Sequence, residues 1–65
     1  MVTKIPKSEN GPIHTHETNK NKYLITWNTT QNRFTLWEVL KNGYNKLTTS
    51  NNPLNFYKYI DEFEK

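Results

Sequence analysis

The feature that most constrains this chain is the alternation of apolar and polar side chains around Asn42-Gly43. In RFTLWEVLKNGYNKL, residues 33–47, one side of the alternation holds Phe34, Leu36, Leu40 and Leu47. The other side holds Arg33, Thr35, Trp37, Val39, Lys41, Tyr44 and Lys46. Asn-Gly suits a two-residue type I′ turn, because both central residues of that turn need a positive φ. The stretch therefore predicts a β-hairpin with one apolar face.

Two further segments extend this hairpin. Residues 22–28 (KYLITWN) have the β-branched and aromatic composition of a strand, and the polar residues 29–32 (TTQN) form a turn after it. Pairing Asn28 with Arg33 keeps the apolar side chains of both strands on one face. After residue 49, Asn52-Pro53 is typical of a helix start. Phe56, Ile60 and Phe63, with Tyr59 beside them, then form one apolar stripe on a helix.

These segments predict an α+β fold, a three-stranded antiparallel β-meander with one C-terminal α-helix packed on one face. A chain of 65 residues is at most one domain, which we expect to span residues 22–65. Residues 1–21 contain Pro6, Gly11 and Pro12 among polar side chains, and this composition predicts a mobile N-terminal arm. Within the arm, residues 13–18 could form a short edge strand.

The two predicted faces of the sheet differ strongly in charge, although the net charge of the whole chain is small. The net charge is +3 and the sequence pI is about 9.3. These two values alone favour a polyanionic partner only mildly. The face that the helix leaves uncovered carries four cations and no acid: Lys22, Arg33, Lys41 and Lys46. The acids fall on the helix, in the arm and, as Glu38, on the opposite face. This segregation indicates that the uncovered face binds an anionic partner.

The first functional hypothesis is binding of nucleic acid, with duplex DNA as the expected form. An antiparallel ribbon fits the major groove, where outward side chains meet base edges and lysines neutralise phosphates. Trp37 and Tyr44 could pack on sugars or stack on the bases of a single strand. The candidate nucleic-acid-binding residues are Lys22, Thr26, Asn28, Arg33, Thr35, Trp37, Lys41, Tyr44 and Lys46.

The order of three strands and a helix over residues 22–64 resembles the small DNA-binding domains at the N-termini of some tyrosine recombinases and in plant ethylene-response factors. The resemblance is one of layout and transfers no functional position to this chain. It therefore bears on the expected fold alone, since a shared fold is a poor guide to function.

Three other hypotheses stay open, two for the same face and one for the edge of the sheet. Leu24, Trp37, Val39 and Tyr44 could form the centre of a protein interface, as in an inhibitor or adaptor from a mobile genetic element. The same side chains could instead be a structural cluster on the outer face. A free sheet edge could also pair two copies, so the chain could be a monomer or an edge-strand dimer.

Several function classes lack support in the sequence. The chain has no cysteine and two glycines, and neither Ser8 nor Ser50 has an evident histidine partner, so we expect no enzyme, cofactor or small-molecule substrate. His14 and His16 lack the further ligands of a metal site. No apolar run could span a membrane and no leader is evident, so we expect no membrane association and a cytoplasmic location.

Overall fold

The computed structural model describes residue 5 and residues 7–65. Its elements are β1 (Glu9–Glu17), β2 (Lys22–Asn28), β3 (Arg33–Leu40), β4 (Gly43–Ser50) and α1 (Asn55–Phe63). The strands form one antiparallel sheet in the order β1-β2-β3-β4, followed by the helix. The α+β class is confirmed, but the prediction of three strands is wrong, because part of the predicted arm forms β1.

The extra strand β1 has one aliphatic side chain, Ile13, so its sequence lacks the apolar alternation of a strand. Its pairing with β2 is irregular: Asn10 lies opposite Trp27 and His14 opposite Ile25, leaving three residues of β1 beside one of β2. Gly11 within this bulge has φ +136°, and a Cβ there would lie 2.7 Å from the backbone N of Ile13. The bulge therefore requires glycine. Residues 1–4 and 6 of the predicted arm lie outside the described residues.

The hairpin of β2 and β3 has the predicted register. Asn28 lies opposite Arg33, Trp27 opposite Phe34 and Ile25 opposite Leu36. The loop between them is closed by the side chain of Asn28, whose Oδ1 accepts from the backbone N–H of Gln31 at 2.8 Å. Asn32 takes a φ of 53°, which asparagine tolerates better than most residues.

The hairpin of β3 and β4 is shifted from its predicted register. Leu40 pairs with Gly43, so the loop is Lys41-Asn42 and the predicted type I′ turn at Asn42-Gly43 is wrong. A second irregularity beyond Leu36 places Trp37 opposite Lys46 and Thr35 opposite Thr49. Thr49 therefore shares a face with Thr35, while Thr48, opposite Leu36, lies on the other face.

Helix α1 packs on the face that the apolar alternation defines. The core comprises Tyr23, Ile25, Leu36, Phe56 and Ile60, with Phe34, Leu47 and Tyr59 packed at its margin. The predicted stripe is confirmed at Phe56 and Ile60, whereas Phe63 is partly exposed beside the ring of Tyr23. The helix begins at Asn55, two residues after the predicted first helical position Pro53. The side chain of Asn52 accepts from the backbone N–H of Leu54 at 3.0 Å, within the turn that precedes the helix.

Candidate nucleic-acid interface

The sheet face opposite α1 is called the second face below. It carries Lys22, Leu24, Thr26 and Asn28 from β2, Arg33, Thr35, Trp37 and Val39 from β3, and Tyr44, Lys46 and Thr49 from β4. Strand β1 adds Glu9 and Glu17 to this face, so the prediction that it carries no acid is wrong. The four cations predicted to bind nucleic acid are all exposed: Lys22, Arg33, Lys41 and Lys46. Tyr44 is half-buried.

Three of these cations lie toward one end of the second face. Lys22, Val39 and Tyr44 form one row across three strands, and Lys46 lies in the next row opposite Trp37. Neighbouring strands are about 4.8 Å apart, so such a row spans about 10 Å. Lys41 belongs to the β3–β4 loop at this end. Arg33 lies at the other end, opposite Asn28. This spacing suits an extended polyanion better than a single small anion.

The centre of the second face is not the open surface that the sequence predicts. Four of the nine candidate residues are buried: Thr26, Asn28, Thr35 and Trp37. Trp37 is 2% exposed and Thr35 is fully buried, so neither side chain can reach a base edge or stack on a base in this structure. The prediction of an uncovered aromatic face is therefore wrong at its centre. Among the candidate residues, the four cations are the ones that are exposed.

The carboxylate of Glu9 occupies this centre. Its Oε1 accepts from Thr26 Oγ1 at 2.8 Å, and its Oε2 accepts from Asn28 Nδ2 at 2.6 Å and from Thr35 Oγ1 at 3.2 Å. Among the described residues, the one ion pair joins Lys65 and Glu62, so Glu9 is held here by neutral donors. Hydrogen bonds to an ionised group are stronger than those between neutral groups.

Two further hydrogen bonds fix the direction of these donors. The indole N–H of Trp37 donates to Thr26 Oγ1 at 2.8 Å. Because an indole nitrogen can only donate, the hydroxyl of Thr26 accepts there and directs its own proton to Glu9. Likewise Asn28 Oδ1 accepts from a backbone N–H, so its NH₂ group points to Glu9. The surroundings of the carboxylate are thus arranged as hydrogen-bond donors.

A second polar cluster joins the end of α1 to the β1–β2 turn. Glu64 Oε2 accepts from the hydroxyls of Thr18 and Tyr23, the latter at 2.7 Å. These hydrogen bonds, Thr18 first, lower the pKa of Glu64. Burial, followed by the hydrogen bond to Glu64, raises the pKa of Tyr23 to about 12. This cluster lies on the helix side of the sheet and serves to anchor the helix.

His14 and His16 belong to β1 and lie against the helix. The ring of Tyr57 is 5.0 Å from that of His16 and 6.3 Å from that of His14, in edge-to-face arrangements. Within the described part of the chain, no three histidine, cysteine, aspartate or glutamate side chains lie close enough together to hold a metal. None of its helices is long and apolar enough to cross a membrane.

Sequence reasoning missed Glu9 because one acid among polar residues gives no signal of a buried partner. The sequence does contain one signal that the centre of this face is buried. Two large apolar side chains, Leu24 and Trp37, lie on the face that was predicted to be exposed. Comparison of the chain with protein-family models, with curated proteins and with solved structures found no match.

Proposed function

We propose that this is a small non-enzymatic protein that binds nucleic acid, duplex DNA in the first instance, through the exposed cations of the second face. The observation that carries the proposal is the placement of these cations. Lys22, Lys41 and Lys46 lie near one end of the face and Arg33 at the other, all exposed. None of them forms an ion pair among the described residues, so their charges stay available to a partner.

The charge balance of the face supports a polyanion. The carboxylate of Glu9 is turned into the hydrogen-bond network of the centre. Glu17 of β1 is exposed opposite Lys22 and is the acid that most directly reduces the potential near the lysines. The acids of α1 lie on the helix that packs against the other face of the sheet. A DNA backbone can therefore approach the second face without meeting a row of carboxylates.

The proposed contacts are to phosphates, which give affinity without reading sequence. The side chains that could read bases, Thr26, Asn28 and Thr35, are buried and hydrogen-bonded to Glu9. Weak sequence preference is therefore expected of the protein in this conformation. A cytoplasmic location belongs to the same proposal. A protein interface centred on Trp37 would first require the second face to open.

The test is fluorescence anisotropy with a labelled random-sequence duplex over a range of salt concentrations. Each phosphate contact contributes about 0.9 to the slope of log K against log salt. Replacing both Lys41 and Lys46 by Gln should lower the slope by about 2 and weaken binding at low salt.

The matched control replaces Lys58 and Lys65 by Gln. Both are exposed lysines of the C-terminal segment, away from the second face, and the net charge changes equally. Equal losses in the two double variants would mean that binding follows total charge, and this would contradict a site on the second face.

A further inference from the structure

We infer that Thr26, Asn28 and Thr35 form an anion site that Glu9 closes in the free protein, and that a phosphate group of bound nucleic acid takes the place of the Glu9 carboxylate. The inference rests on the proposed function and adds a second, deeper contact to it. It makes the first residues of β1, around Glu9, a removable cover over the side chains that could read nucleic acid.

The chemistry of the site is that of an anion receptor. The hydroxyl of Thr26 and the NH₂ group of Asn28 are both directed toward the carboxylate by donor groups behind them, Trp37 Nε1 and the backbone N–H of Gln31. These two groups keep donating whichever anion lies in front of them. A phosphate oxygen accepts the same hydrogen bonds as a carboxylate oxygen.

The residues around the site favour a polyanion, in which the bound phosphate is one of a series of charged groups. Arg33 lies directly opposite Asn28, and Lys46 lies opposite Trp37. Both cations are exposed and lie in the row of the site or the next one, and neither pairs with Glu9 among the described residues. A bound anion that extends over the second face can contact these cations directly, because they lie in its path.

The segment that carries Glu9 is set apart from the rest of β1. Residues 14–17 pair regularly with β2, and the bulge over residues 11–13 separates them from Glu9 and Asn10. On its far side, Ser8 O accepts from the backbone N–H of Thr29 at 3.0 Å. Residues 8–10 can therefore detach at the bulge while residues 14–17 keep their pairing. We refer to residues 8–10 as the strap.

The first test compares Glu9→Gln with Glu17→Gln in duplex binding. Both variants remove one negative charge from β1, but Glu17 is exposed opposite Lys22 and has no part in the anion site. Glutamine at position 9 loses the ionised acceptor and turns an NH₂ group toward other donors, so the strap is released. We expect Glu9→Gln to bind about tenfold tighter than Glu17→Gln, since a hydrogen bond to a charged group changes an equilibrium by at least this factor.

The second test locks the strap. The chain has no cysteine, so Ser8→Cys with Thr29→Cys can form one defined disulfide between two residues that a backbone hydrogen bond already joins. The oxidised protein should bind DNA more weakly than the same protein after reduction. Exchange of the Trp37 indole proton, measured by NMR without DNA, should be faster in Glu9→Gln and slower in the locked protein.

Equal affinities of Glu9→Gln and Glu17→Gln, together with equal binding by the oxidised and reduced double-cysteine protein, would overturn the inference. Salt-dependent binding by the unmodified protein would persist in that case, and the proposed function would stand. Absence of salt-dependent binding in the unmodified protein and in Glu17→Gln would instead be a failure of the proposed function itself.

Discussion

At the scale of single residues, the structure depends on a few polar side chains whose partners are far away in sequence. The hydroxyl of Thr26 connects Trp37 on β3 to Glu9 on β1, and it is 1% exposed. A buried donor or acceptor that loses its partner costs the full desolvation of that group. Thr26 is therefore expected to matter for stability as much as an apolar core residue.

Replacing Thr26 by Val keeps the volume but removes both hydrogen bonds. The indole N–H of Trp37 and one oxygen of Glu9 lose their partner, so the free energy of unfolding should fall by about 2 kcal/mol. Urea denaturation, monitored by tryptophan fluorescence, measures this free energy. The matched control is Thr48→Val, a half-buried threonine of β4 whose hydroxyl makes one long contact of 3.5 Å. Equal losses in both variants would contradict the role given to Thr26.

Tyr23 makes stability depend on pH in the alkaline range. Because burial and Glu64 raise its pKa from 10.0 to about 12, the folded protein holds this proton more tightly than the unfolded chain. The stabilisation is therefore complete below pH 10.0 and is lost as pH rises toward about 12. The expected loss is about 2–3 kcal/mol.

The measurement is the difference in free energy of unfolding between the unmodified protein and Tyr23→Phe, from about pH 9 to about pH 12. The difference should shrink by the same 2–3 kcal/mol, because phenylalanine has no proton to lose. Tyr59→Phe, at a half-buried position of α1, controls for the loss of any tyrosine hydroxyl. A difference that stays constant with pH would show that the Tyr23 proton is not held by the fold.

At the scale of elements, the sequence predicts those segments whose own pattern matches the structure. The bounds of β2, the register of β2 with β3 and the buried positions of α1 follow from the periodicity of apolar residues. The possible edge strand at residues 13–18 overlaps the second half of β1. The first half could not be predicted in this way, because its pairing depends on backbone hydrogen bonds and on Glu9 rather than on an apolar face. The β3–β4 register could not be predicted from the Asn-Gly signal, because the loop lies one residue earlier and a bulge beyond Leu36 shifts the pairing again.

Gly11 is the residue on which the path of β1 depends. Replacing it by Ala forces a Cβ to within 2.7 Å of a backbone atom at φ +136°, so the bulge must rearrange. We expect a loss of about 1–3 kcal/mol in the free energy of unfolding and faster hydrogen exchange at the amide of Thr29. The neighbouring exposed Asn10→Ala should change stability by less than about 0.5 kcal/mol. Unchanged exchange at Thr29 in Gly11→Ala would contradict this account of the bulge.

At the scale of the whole molecule, the two faces of the sheet have different roles. One face packs against α1 and supplies the apolar core, while the second face combines exposed cations with a buried polar centre. Sequence reasoning located the cations, since exposure of lysine and arginine follows from their charge. It could not predict the buried polar centre, because the hydrogen bonds there depend on one carboxylate brought in from β1.

The central claim is that the cations of the second face bind nucleic acid. The most direct measurement is a series of amide NMR spectra of labelled protein as a short random-sequence duplex is added at low salt, followed by added salt. We expect the amide chemical shifts of Lys22, Arg33, Lys41, Lys46 and their neighbours to change, and to return to their original values as salt releases the duplex. A spectrum that does not change, or shifts confined to α1, would contradict it.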